Sequence, residues 1–442
     1  MERLFFELLQ VAIGNRQCLS AVPKKEEWLL LFQMSTKQAL AGIAFHGVQL
    51  LPKEQQPERN LILQWYAIAM QIQVANEKTN KATLQARNFF HEKGFRSCVL
   101  KGQGNSLLYP IPNIRMSGDI DLWVEGGEQK VLAFVKGQVD RPEILYHHVE
   151  FKKIDDIEIE VHYRPSFMNN LIHNYRLQRW FVQESEKQFS HEVEFPDGAG
   201  RICVPTYAFN RIYQMAHICN HVIHEGIGLR QMMDYYFVLK QGFSEEERQT
   251  DGKLLRRLGL YDVAAAVMYV LKEILLMEES MLLVPADERS GKFFMNEIMQ
   301  SGNFGQYDKR VRHNVSQLSQ NIQRLKRDFR LMWYFPSECL WEPIFRVYHF
   351  FWRLLNSLAL RVEGAASRGR KNVKKIEKNI KNEKMKEGNG EAVSFFHFSL
   401  IRTVGYAEGT LVRQKKQKLS FFLCFVLTYP YLCTRNWFSP TP

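Results

Sequence analysis

The run Gly118-Asp119-Ile120-Asp121-Leu122-Trp123-Val124 constrains the fold more than any other stretch of the chain. Its apolar alternation favours a strand, and strand side chains alternate between faces. Ile120, Leu122 and Val124 then line one face, and Asp119, Asp121 and Trp123 the other. The apolar face requires a core beneath it. The opposite face carries two neighbouring carboxylates, which repel one another unless a cation sits between them. Taken alone, D-x-D on a strand is more often a solvated face than a site.

A second strand can supply a third acid. Ile157-Glu158-Ile159-Glu160-Val161-His162 alternates in the same way and sets Glu158, Glu160 and His162 on one face. If it lies beside the first strand, Glu160 joins Asp119 and Asp121. Three carboxylates are hard oxygen donors, suited to Mg2+ or Mn2+. Upstream, Val99-Leu100-Lys101-Gly102-Gln103-Gly104-Asn105-Ser106 reads as a strand entering a glycine turn and then a short helix. Backbone N–H groups there can meet phosphate, and Lys101 can neutralise it. A tight turn that needs glycine only for its conformation is the alternative.

Around this unit the chain reads as helical. Residues 1–91 show apolar recurrences at Leu4, Leu8 and Val11, at Leu29, Leu30, Phe32 and Met34, and at Leu61, Leu63, Tyr66, Met70 and Ile72. Residues 92–205 form a small α/β unit. Hairpins are expected between 147–153 and 157–163 through Asp155-Asp156, and between 192–195 and 201–204 through Pro196-Asp197-Gly198. From 206 to 361 helices are predicted over 208–224, 229–239, 254–277, 293–300, 314–333 and 344–358. The expected class is α+β, a small mixed sheet flanked by helical regions. Residues 362–442 form a basic tail whose Lys- and Asn-rich part reads as disordered or as a solvated helix.

Charge and cysteine usage narrow the function classes. Residues 363–442 hold 15 Lys+Arg against 6 Glu, so most of the net charge of +12 lies there. The basic balance therefore lends little support to a nucleic-acid footprint on the body. No apolar run reaches the roughly 20 residues that a membrane-spanning helix needs. The seven cysteines are scattered and form no C-x-x-C pair, which argues against a disulfide framework or structural zinc and fits a cytoplasmic setting.

Four motifs stand in order: Leu100-Lys101-Gly102, Tyr109-Pro110-Ile111-Pro112-Asn113-Ile114-Arg115, Asp119-Ile120-Asp121-Leu122 and Ile159-Glu160-Val161-His162. In this order and spacing the chain resembles the polymerase-β-like nucleotidyltransferase superfamily. More narrowly, it is similar to a bacterial family of uncharacterised nucleotidyltransferases. The likeness extends to a histidine-rich stretch (His217, His221, His224) followed by Leu229-Arg230 and Asp234. It implies a polymerase-β-like catalytic unit, with Asp119, Asp121 and Glu160 as the catalytic, metal-binding acids for Mg2+ or Mn2+. It also implies that the turn at Gly102 faces a nucleoside triphosphate. Lys101, Gln103, Ser106 and Arg115 are the further nucleotide-binding candidates. The implied reaction moves a nucleoside monophosphate to a hydroxyl acceptor and releases pyrophosphate; the sequence does not identify the acceptor. In one respect the chain departs from the superfamily. Gln103 stands where a second small residue is favoured, which bears on the depth of the phosphate pocket. A catalytically inactive nucleotide-binding regulator and a helical protein-interaction scaffold are the alternatives.

Several residues form a second tier. His217, His221 and His224 share a helical face, where two histidines and Asp234 could ligate zinc. A polar face lining a cleft is the commoner arrangement. His162 can orient Glu160 or meet the acceptor, with Arg164 close behind it. Arg115 either binds phosphate or pairs with Asp119 or Asp121. Arg230 and Asp234 stand one turn apart, the spacing of a salt bridge. Tyr109 and Trp123 could stack on a base, although core packing is commoner for Tyr109.

Overall fold

Four helices precede the first strand: α1 (Glu2–Ala12), α2 (Lys25–Lys37), α3 (Ala41–Leu50) and α4 (Arg59–Glu92). The computed structural model describes residues 1–312 and 315–354. In α2 the inward side is Trp28 and Leu31, while Leu29 and Leu30 are exposed; in α4 it is Leu61, Trp65 and Ile72, while Leu63 and Tyr66 are exposed. The helical period is as predicted; of the recurring residues Leu61 and Ile72 face inward, whereas Leu29, Leu30, Leu63 and Tyr66 do not. Polar residues share the inner face of α4 because each finds a partner. Asn76 Nδ2 donates to the carbonyls of Asn113 (2.9 Å) and Arg115 (2.7 Å), and the Thr79 and Thr83 hydroxyls bond back to the helix.

The sheet unit follows as β1 (Ser97–Val99), α5 (Gln103–Ser106), β2 (Ile120–Val124), α6 (Gly127–Gln138), β3 (His148–Glu150) and β4 (Ile159–His162). Strand order is β1-β2-β4-β3. The central pair β2–β4 is parallel and both outer pairs are antiparallel, so the sheet is mixed. Asp155 and Asp156 adopt positive φ (49° and 65°) in the β3–β4 turn, the backbone that a two-residue hairpin turn demands. One sheet face buries Ile120, Leu122, Val124, Ile159 and Val161 against Ala82, Ala86 and Phe90 of α4 and Val131, Leu132 and Val135 of α6. On the other face Cys98 and Trp123 join the larger core. That leaves Asp121, Glu160 and His162 on the same face, beside Trp123.

After β4 come α7 (Leu171–Ser190), the hairpin β5 (Glu192–Glu194) and β6 (Arg201–Cys203), then α8 (Tyr207–His224) and α9 (Leu229–Lys240). The helix predicted over 254–277 is instead two: α10 (Glu245–Leu258) and α11 (Tyr261–Leu275). Gly259 caps α10 with φ 70°, and Ser244 with Glu247 forms a capping box at its start. The series closes with α12 (Glu288–Ser301), α13 (Gln317–Leu331) and a helical stretch at 336–354. The described residues fall within one compact unit, Met1–Leu355. There Gln10 Nε2 donates to Ile274 O (2.7 Å) and Gln38 Nε2 to Ile298 O (3.1 Å), tying the N-terminal helices to α11 and α12. Expectations for 355–442, the basic tail included, lie outside the described residues. No helix among the described residues is long and apolar enough to cross a membrane.

Candidate nucleotide and metal site

The parallel register of β2 and β4 sets Asp121 directly across from Glu160 and Trp123 across from His162. Leu100 N–H donates to Asp121 O (3.0 Å), and the chain then turns at Gly102, where φ is 49°. Glycine alone adopts such a backbone without strain. Gly104 is constrained differently, because a Cβ there would lie 2.8 Å from Val99 O. The turn carries Lys101 onto the polar face, with its Nζ 2.8 Å from Asp121 Oδ1. His162 Nε2 lies 2.9 Å from the same oxygen and 3.3 Å from Glu160 Oε2. His148 Nδ1 approaches Glu160 Oε2 at 3.4 Å from the strand beyond.

The charges act strongly on one another. Burial pushes the Asp121 carboxyl up, but Lys101 and His162 hold it well below the usual carboxylate range. Asp119, just before the strand, is pushed up to about 6, first by the like charge of Asp121. For Glu160 burial acts upward, but the bond from His162 and the charges of His162 and His148 together lower the pKa. Burial opposes charge on His162, yet the two carboxylates raise it to about 9. His148 is held down to about 4 by burial, then by His162. Two cations thus offset three acids.

A cleft opens above this face, lined by Lys101, Gly102, Asn105, Asp119 and Asp121 on one side and by His217, Arg230 and Phe304 on the other. Sequence reading did not single out Asn105, Gln214 or Phe304. Asn105 Oδ1 accepts from Asn210 (3.2 Å) and Gln214 (3.0 Å) of α8. Phe304, at φ 51°, lies under the Arg230 guanidinium at 5.1 Å. Only the pairing of segments some hundred residues apart brings these groups together.

Several candidates lie elsewhere than expected. Gln103 is buried and donates to Asn80 on α4, so the bulkier side chain at that position does not crowd the pocket. Ser106 Oγ donates to Gln103 O (2.8 Å) inside the turn and is buried there. Arg115 pairs with neither Asp119 nor Asp121. Its Nε and Nη2 donate to Asp234 at 2.8 and 2.7 Å, and Tyr109 donates to the same carboxylate at 2.6 Å. Asp234 is therefore taken from Arg230, its expected helical partner, and from the histidines of α8. Arg230 Nη1 instead donates to Met116 O (3.3 Å). Arg164 is committed to Glu128 and Tyr146 O, each at 2.6 Å. Nε2 of His217 and of His221 lie 3.0 Å apart, whereas His224 turns to Asn169. Trp123 packs on Phe189 (4.6 Å between centroids) and stacks on Phe209, and Tyr109 packs on Phe237, so neither ring is open to a base. Among the described residues, the groups placed to share one ion are Asp121/Glu160/His162 and His147/His148/His162.

A family model described as an uncharacterised nucleotidyltransferase matches residues 24–275. The chain belongs to that family. The match covers the whole sheet unit together with α8, α9 and α11, so both walls of the acid-bearing cleft up to Asp234 fall inside it. Phe304 lies beyond the matched stretch. No curated protein matches the chain. Among solved structures, an antigenic nucleotidyltransferase-like protein from Paracoccidioides brasiliensis is 9% identical, with a TM-score of 0.26, over 42% of this chain and 88% of that one. That likeness is too slight to argue from.

Proposed function

We propose that the protein moves a nucleoside monophosphate from a nucleoside triphosphate to a hydroxyl acceptor, releasing pyrophosphate. Membership of a nucleotidyltransferase family gives the general class. The observation that carries the finer reading is the register of Asp121 against Glu160, with Lys101 2.8 Å from Asp121 at the floor of the cleft. In the transfer the acceptor oxygen bonds to the α-phosphorus as the bond to the oxygen bridging to the β-phosphorus breaks. Lys101, Gly102 and Arg230 face the cleft and suit a polyanion. Arg115 acts through Asp234, fixing the segment that leads into β2.

The donor set fits Mg2+ or Mn2+. Asp119, Asp121 and Glu160 are hard oxygen donors, and the raised Asp119 carboxyl reports an acidic cluster short of positive charge. Asp121 and Glu160 stand close enough to share the ion, and Asp119, just before the strand, would complete its oxygen ligands; when bound, the ion would neutralise charge on the triphosphate and on the leaving pyrophosphate. His162 and His148 orient Glu160. The free state of the five described cysteines agrees with a cytoplasmic setting. The test is pyrophosphate release with each nucleoside triphosphate, Mg2+ or Mn2+, and a panel of hydroxyl acceptors. Turnover should fall by about two orders of magnitude or more in Asp119→Asn. Turnover unchanged in that variant removes Asp119 from the mechanism.

A further inference from the structure

On the β3 side of the acid cluster, two imidazoles, His148 and His162, approach one carboxylate oxygen of Glu160, and a third, His147, stands against His148. His148 Nδ1 lies 3.1 Å from His147 Nε2 and 3.4 Å from Glu160 Oε2, and His162 Nε2 lies 3.3 Å from that same oxygen. The ligand atoms of His147, His148 and His162 all fall within 4.8 Å of one another. Four ligands held tetrahedrally at Zn–N and Zn–O bond lengths stand about 3.3–3.4 Å apart. The His147–His148 separation of 3.1 Å is close to such an edge. Hydrogen bonds alone serve the cluster poorly, since one hydrogen on His148 Nδ1 can point at His147 or at Glu160, not at both.

The fold builds this arrangement. Antiparallel pairing of β3 with β4 sets His148 across from His162, and Glu160 precedes His162 by two residues on the same face. His147 is pinned at the strand's entrance, where its carbonyl accepts the N–H groups of Tyr163 and Arg164, both at 3.1 Å. We propose that His147, His148 and His162 form a binding site for a borderline divalent transition ion, Zn2+ being the type, with Glu160 beside it. Imidazole nitrogen selects such ions over Mg2+. The site differs from the oxygen-only trio because Asp119 takes no part in it. Glu160 Oε2 lies against His148 and His162, so an ion held here fixes the imidazoles that orient this acid. The proposal stands on ligand geometry and does not rest on the transfer reading.

The test uses full-length protein stripped of metal and titrated with Zn2+ alone or Mg2+ alone, without nucleotide. One Zn2+ per chain should bind more tightly than Mg2+, by about two orders of magnitude or more. Co2+ in its place should give the visible absorption of a four-coordinate nitrogen and oxygen site. His147→Gln and His148→Gln should each weaken Zn2+ by about tenfold or more, while Asp119→Asn should leave its affinity within about threefold. Zn2+ binding no tighter than Mg2+ overturns the site. So does unchanged affinity in both histidine variants, or loss of Zn2+ in Asp119→Asn. Should a histidine variant fail to fold, the wild-type Zn2+ stoichiometry and the Co2+ spectrum decide the matter. Both results are independent of whether any nucleotide is turned over.

Discussion

Asp234→Ala tests the joint between the sheet unit and α9. Asp234 accepts three hydrogen bonds, two from Arg115 (2.8 and 2.7 Å) and one from Tyr109 (2.6 Å). The two ionic side chains are only 5% and 7% exposed. Burial acts to raise the Asp234 carboxyl, and Arg115 with Tyr109 outweighs it and holds it low. The substitution leaves a buried guanidinium without a counter-charge, which costs about 3–5 kcal/mol. An orphaned hydroxyl adds about 1 kcal/mol. The expected loss is therefore about 4–6 kcal/mol. At about 2 °C per kcal/mol for a unit of this size, the unfolding midpoint should fall by about 8–12 °C. Urea unfolding followed by circular dichroism, with calorimetry, measures both. Arg115→Met combined with Asp234→Leu removes both charges and should recover more than half of the loss. The pH dependence has a definite sign. A depressed carboxyl stabilises fully above its unfolded pKa of about 3.9 and loses that contribution as pH falls through its folded value. Asp234→Asn should therefore show a flatter acid limb. A loss below about 1 kcal/mol in Asp234→Ala would refute the reasoning, because the guanidinium would then have to be solvated.

Three further outcomes follow from local geometry. Gly104→Ala sets a Cβ 2.8 Å from Val99 O and 3.3 Å from Val204 Cγ1; a loss of about 1–3 kcal/mol in urea unfolding is expected. Trp123→Ala should cost about 3–5 kcal/mol by the same measurement, as for a buried aromatic rather than an open platform. His224 is held down to about 4 by burial. Its contribution is complete above the unfolded value near 6.5 and declines as pH falls toward the folded one. Stability measured at pH 7 and pH 5 should therefore drop more in the wild type than in His224→Gln, and equal drops would contradict the assignment.

Much of the sheet unit is legible in the sequence because its signals are local. Period-two alternation places Asp121 and Glu160 on one face each, and Asp155-Asp156 marks the hairpin. The parallel neighbourhood of the two strands follows only from the fold, since pairing residues 121 and 160 is a non-local choice. Helix phase is less legible. In α4 the inner face includes Asn76, Thr79 and Thr83, whose burial depends on hydrogen-bond partners that the sequence does not reveal. The largest differences concern charge pairing. Arg230 and Asp234 have helical spacing, yet Arg115, distant in sequence, supplies two parallel hydrogen bonds and takes the carboxylate. His148 gave no signal of its own, because its role comes from lying opposite His162 across a strand pair.

The most direct measurement is the thermal unfolding midpoint with each nucleoside triphosphate, with and without Mg2+, in the wild type and in Asp121→Asn. A ligand present at 100 times its Kd stabilises the folded state by about 2.7 kcal/mol, a rise of about 5 °C. The wild type should show such a rise only when triphosphate and Mg2+ are present together, and Asp121→Asn should show none. A rise that needs no Mg2+, or one that persists in Asp121→Asn, would contradict the placement of nucleotide and ion at the Asp121–Glu160 face.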